Sequence, residues 1–140
     1  MQMDKFDRRI LSILQADASI TAADLGEQIG LSQSQVWRRI ERLEQEGILL
    51  KRVALVDRKK AGLSVMLYAQ VKLKANSHDS IPDFAKAIQK FPEVLDCHLI
   101  LGPADFILRI VAKDMDAYEK FFSSRLTRLP MVQEVHSMVA

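Results

Sequence analysis

At 140 residues, 49% apolar and 27% charged, the chain has the composition of an ordinary globular protein, long enough for one domain or two small ones. Five Gly, four Pro and no low-complexity tract exclude a disordered or fibrous chain, and a single cysteine, Cys97, excludes an intramolecular disulfide framework and fits a reducing compartment. The net charge of +2 identifies no partner by its total, the N-terminus lacks a signal peptide's apolar core, and no apolar run could span a bilayer, so the cytoplasm is the expected location.

Asp4 is placed to cap a helix over Lys5–Gln15, in which Phe6, Ile10, Ile13 and Leu14 recur on one face. After the polar break at Asp17, Thr21-Ala-Ala-Asp24 opens a second helix with Leu25 and Ile29 inward, closed by Gly30. Ser32 and Gln35 form a capping box at the start of a third helix. This helix runs to about Glu46, with Val36, Ile40 and Leu43 as its buried stripe and Gly47 as its end.

The spacing is that of a helix-turn-helix. Gly26 is small where the second and third helices approach, Gly30 permits a left-handed turn residue, and Val36 plugs the angle between the helices. The face of the third helix left over by the stripe presents Gln33, Ser34, Gln35, Trp37, Arg38 and Arg42. Gln and Arg have the bidentate geometry that adenine and guanine edges require in the major groove. Ser32, Ser34, Arg39, Lys51 and Arg52 suit phosphate contacts, which position a protein but read no sequence. The alternative is a solvated bundle, with the arginines dispersed among Glu41, Glu44 and Glu46 and Trp37 packed on a neighbouring helix.

Ile48–Val56, rich in Ile, Leu and Val, reads as a strand and completes a winged-type helix-turn-helix domain over 1–56. The polar stretch 57–63, ending Gly62-Leu63, reads as a hinge, and 64–140 as a second domain. Within it, Ser64–Lys74 alternates as a strand, Ser80–Lys90 is helical, and Val94–Leu101 and Asp105–Val111 are strands joined by a Gly-Pro turn. Met115–Arg128 is a second amphipathic helix and Val132–Val139 a last strand. The order β-α-β-β-α-β is that of a ferredoxin-like domain, so the fold class is α+β.

His78, His98 and His136 are far apart, and Cys97 and His98 would point to opposite faces of a strand, so no metal site is expected. No phosphate-binding glycine loop or nucleophile elbow is present, and neither a catalytic residue nor a cofactor is expected.

Asp4-x-x-Asp-Arg-Arg-Ile-Leu, Leu25, Leu31-Ser-x-Ser-x-Val-x-x-Arg-Ile-x-x-Leu-Glu-x-x-Gly47-Ile and Ala54-Leu-Val-Asp…Gly62-Leu together resemble the leucine-responsive regulatory protein/AsnC family of transcription regulators, over essentially the whole chain. The resemblance implies a sequence-specific DNA-binding regulator that dimerises through its C-terminal domains and assembles further into tetramers or octamers. It also implies an amino acid or related small molecule as effector, bound between dimers. The family's loop between the second and third strands falls on Leu101-Gly-Pro-Ala-Asp105; Gly102 and Asp105 match its pattern, whereas Pro103 and Ala104 depart from it. Leu101, Gly102, Pro103 and Asp105 are then effector-binding candidates, with Asp105 facing a ligand ammonium and Ser137 adding a hydroxyl from the last strand. The alternative makes Gly102-Pro103 a simple turn with Asp105 as its local hydrogen-bonding partner. Two further readings stand beside a regulator: a sensor or assembly module without DNA specificity, and an enzyme built on the second domain.

Overall fold

The structure, a computed structural model, describes residues 2–74 and 80–140, so that His78 lies outside the described residues. It divides into two compact units, Met1–Leu55 and Val56–Ala140.

The first unit holds α1 (Lys5–Ala16), α2 (Ala22–Ile29) and α3 (Gln33–Gln45). Each begins at the polar residue expected to cap it. The Asp4 carboxylate accepts the Phe6 and Asp7 amides at 2.8 and 2.9 Å, and Thr21 accepts the Asp24 amide at 3.1 Å. Ser32 accepts the Gln35 amide at 3.3 Å while Gln35 Oε1 accepts the Ser32 amide at 2.9 Å, closing the reciprocal box. Ile10, Leu14, Leu25, Ile29, Val36, Ile40 and Leu43 interlock as the core. α2 ends at Gly30 with φ +76°, and the Leu31 amide turns back to the Gly26 carbonyl at 2.9 Å.

Beyond α3 the expected strand Ile48–Val56 does not form: the Ile48 and Leu49 amides turn back to the Leu43 carbonyl at 2.9 and 3.0 Å, and the wing it was to supply joins no ladder among the described residues. Residue composition sets a preference for extended backbone, but a ladder needs a neighbour's amides and carbonyls. Among the described residues of this chain none is offered, and Leu50, Val53, Leu55 and Val56 lie exposed.

The second unit carries β1 (Val65–Leu73), α4 (Ser80–Ile88), β2 (Val94–Leu99), β3 (Phe106–Ala112), α5 (Met115–Phe121) and β4 (Val132–Val139). The strands form one antiparallel sheet in the order β2-β3-β1-β4, the β-α-β-β-α-β arrangement expected. Ala69 pairs with Leu108 on one side and Ser137 on the other. Leu67, Ala69, Val71, Phe106, Leu108 and Ile110 form the buried side with Phe84, Ile88, Tyr118, Phe121 and Leu126. The opposite side carries Tyr68, Asp96, His98, Ile107 and Arg109 around a concavity of about 250 Å³, with Arg109 paired to Asp96 at 2.5 Å. The predicted helix Met115–Arg128 is α-helical to Phe121 and continues as a π-helical turn over Phe122–Leu126, closed by the Thr127 amide on the Phe122 carbonyl at 3.0 Å. No helix among the described residues is long and apolar enough to cross a membrane.

Candidate functional site

α3 buries Val36, Ile40 and Leu43 against its neighbours and leaves its remaining face outward. Ser32, Gln33, Ser34, Gln35 and Arg38 are all exposed, and so is Trp37, at 54%, which does not pack under a neighbouring helix. The Arg38 Nε donates to the Ser34 carbonyl one turn back at 3.4 Å, which lays its side chain along the helix. Gln35, Arg38, Arg39 and Arg42 line a shallow groove of about 330 Å³.

Arg39 and Arg42 differ from Arg38. The Arg39 Nη1 donates to Asp4 Oδ2 at 2.7 Å and to Asp7 Oδ1 at 2.8 Å, with the Phe6 ring 5.3 Å from its guanidinium carbon. The Arg42 Nη2 reaches both oxygens of Asp7 at 2.9 Å. Asp7 is fully buried and also accepts the Asp4 amide at 3.0 Å, so both carboxylate oxygens are satisfied. The Asp4 carboxyl is lowered to about 2, first by the Asp7 amide it caps and then by the hydrogen bond from Arg39. Arg39 holds its proton more tightly in turn, through Asp4 first and Asp7 second.

Sequence reasoning placed Asp4 as a cap and missed Asp7. The available signal was the Asp4-x-x-Asp7 spacing, a capping-box spacing with Asp at the third position. Lys51 and Arg52 are exposed and border a different groove, lined by the end of α1 and residues 48–55. Arg52 also makes a surface pair with Glu44 at 3.2 Å, of the kind worth little.

In the second unit Leu101, Gly102 and Pro103 are exposed at the tip between β2 and β3. Asp105 ties that tip to the sheet: its carboxylate accepts the Leu73 amide at 2.7 Å, its amide donates to the Val71 carbonyl at 2.9 Å, and its carbonyl accepts the Ile100 amide at 2.9 Å. The carboxylate's partner is therefore the end of β1, while the base of the turn is closed by the Asp105 main chain. Ser137 lies elsewhere, hydrogen-bonded through its hydroxyl to that of Tyr118. It lines a mainly apolar groove of about 320 Å³ with Met115, Tyr118, Glu119, Phe122 and Val135, and no residue of the 101–105 tip borders that groove. Burial pushes the Tyr118 phenol up, against the opposing effect of the Ser137 hydrogen bond. The expectation of an amphipathic helix over Met115–Arg128 left the Tyr118 hydroxyl unplaced. Burial likewise raises the half-buried Cys97 thiol. Among the described residues no three His, Cys, Asp or Glu side chains gather as a metal ion requires.

Two family descriptions match the chain: an AsnC-type helix-turn-helix domain over residues 3–44 and an Lrp/AsnC ligand binding domain over residues 66–140. The chain is 37% identical over 139 residues to the transcriptional regulator AzlB of Bacillus subtilis, covering 99% of this chain and 88% of that one. It is 32% identical over 138 residues to the DNA-binding transcriptional activator DecR of Escherichia coli, covering 99% and 91%. A transcriptional regulator of Neisseria meningitidis, solved as a complex with L-Met, superposes with a TM-score of 0.94 at 32% identity, covering 99% of this chain and 90% of the other.

Proposed function

The chain belongs to the Lrp/AsnC family of transcriptional regulators, and we propose that it reads its operator with the outward face of α3 and answers to an amino acid held by its C-terminal unit. It is a sequence-specific DNA-binding regulator, and no catalytic step or cofactor enters the proposal. One observation carries the reading of α3: a capped helix N-terminus beside an exposed row of Ser34, Gln35, Trp37 and Arg38. A helix N-terminus offers amides to a phosphate, and the row beside it offers the donors and acceptors that distinguish base pairs. Gln33, Ser34, Gln35, Trp37 and Arg38 face the bases; Ser32, Lys51 and Arg52 meet phosphates. The protein works in the cytoplasm, where its operator lies.

For the effector, the L-Met complex of the Neisseria relative supports an amino acid. Leu101, Gly102 and Pro103 offer it a backbone rim, and Asp105 holds that rim in place while keeping lone pairs for an ammonium. Within one chain Ser137 faces another groove, so a ligand touched by both the tip and Ser137 lies between copies. The working form is a homodimer that assembles further to tetramers or octamers. The exposed Leu50, Val53, Leu55 and Val56 support it, since a run of apolar side chains is stabilised by burial against a second copy. A dimer would set two copies of α3 into successive major-groove faces roughly 34 Å apart.

The test is in vitro selection of duplex DNA by the purified protein, repeated with a panel of amino acids. Enrichment of a two-fold symmetric site, shifted by one class of amino acid, is the expected result. Recovery of unenriched DNA under every condition at moderate salt would refute the operator reading.

A further inference from the structure

α3 carries three arginines, and the structure divides them. Arg38 lies along the exposed face, whereas Arg39 and Arg42 are turned toward α1 and held there by Asp4 and Asp7. The four groups form one network: Asp7 bridges the two guanidiniums, and Asp4 both caps α1 and takes the second bond from Arg39. Their formal charges sum to zero. Two arginines that a count of α3's charges would assign to DNA are therefore neutralised where they stand, beside the groove that α3 presents.

Affinity for any duplex comes from the phosphate charges a protein neutralises, and selectivity from contacts to base edges. A regulator with too many free arginines on its reading helix would grip all DNA and discriminate little. We propose that Asp4 and Asp7 are specificity-determining residues. By holding Arg39 and Arg42 they keep two positive charges of α3 from gripping phosphates of arbitrary sequence, and leave discrimination to Arg38 and its neighbours. The proposal rests on the reading of α3 as the DNA-contacting helix. It gives the two acids a role in recognition beyond holding α1 on α3.

Asp4→Asn is the informative change, because Asn serves as an N-cap about as well as Asp while the negative charge facing Arg39 is removed. The network then carries +1. Binding to the selected operator and to an unrelated duplex of equal length is measured across a range of salt, for the wild type, Asp4→Asn, Arg39→Gln and the double variant. Helix content from circular dichroism confirms that each is folded. Asp4→Asn is expected to tighten binding to the unrelated duplex on the order of fivefold, to steepen the slope of log affinity against log salt by about 0.9, and to lower the specificity ratio. In the Arg39→Gln background the same change is expected to do none of these things, because its effect passes through Arg39. An unchanged slope and ratio in Asp4→Asn overturns the proposal, and so does an effect of full size in the Arg39→Gln background, which marks a general surface-charge effect. A wild-type protein with equal affinity for every duplex is a different failure, that of the operator reading itself.

Discussion

Gly26 stands where α2 meets the turn into α3, and a Cβ there would lie 2.4 Å from the Leu31 carbonyl oxygen. The obstruction is backbone, which cannot swing aside as a side chain can. Gly26→Ala is expected to cost about 1–3 kcal/mol, read from urea unfolding followed by circular dichroism. A loss below a few tenths would mean that the two helices can separate freely. Arg38 and Lys51 test the division between reading and holding. Arg38→Ala is expected to relax preference at particular base pairs by about 1–3 kcal/mol, while Lys51→Ala should weaken binding to all sequences and reduce the salt slope by about one. Identical effects of the two on every sequence would count against that division. Asp4 adds a pH dependence. Its carboxyl is lowered from 3.8 to about 2, so the fold favours the ionised form. Its contribution is present above the ordinary value and is lost as pH falls through that window. The stability difference between wild type and Asp4→Asn should therefore shrink from pH 4 to pH 2 in an acid titration; a difference constant over that range would show that the charge of Asp4 contributes nothing.

At the scale of elements, the helix starts were legible because a cap is a local event. Ser32 and Gln35 satisfy each other's amides within four residues, and no distant part of the chain is needed. Ser32→Ala should cost about 1 kcal/mol of stability and weaken binding to operator and unrelated duplex alike, because the N-terminus of α3 frays. Calorimetry together with binding to both duplexes would expose a purely structural role, which would lower stability alone. The stretch Ile48–Val56 failed as a strand for the converse reason: its side chains favour extended backbone, but the partner of a strand is not written in the strand. The π-helical turn after Phe121 was equally unreadable, since a helical apolar pattern does not record which carbonyl each amide will choose.

At the scale of the molecule, Leu50, Val53, Leu55 and Val56 are exposed, and on the proposed reading a second copy covers them. Val53→Asp together with Leu55→Asp should shift sedimentation toward smaller species at a given concentration, because charges in such an interface must be desolvated. An unchanged distribution would place the contact between copies elsewhere. Amino-acid binding, on the proposed reading, shifts the equilibrium between assemblies and acts on DNA through it.

Hydrophobic period, capping residues and turn glycines were enough to lay out three helices, the β-α-β-β-α-β order and the exposed face of α3, because each of these depends on residues within a turn or two of one another. Charge pairing across the sequence was not. Arg39 and Asp4 are 35 positions apart, and only the packing of α1 on α3 brings them to 2.7 Å and makes Asp7 a buried acid satisfied by two arginines. The same holds for Asp105, whose carboxylate meets Leu73 across 32 positions, and for Ser137, which the sheet register sends to Tyr118 and away from the 101–105 tip. The sequence named the chemical groups, and the tertiary structure chose their partners, because a side chain's hydrogen bonds are set by what packing brings within 3 Å of it.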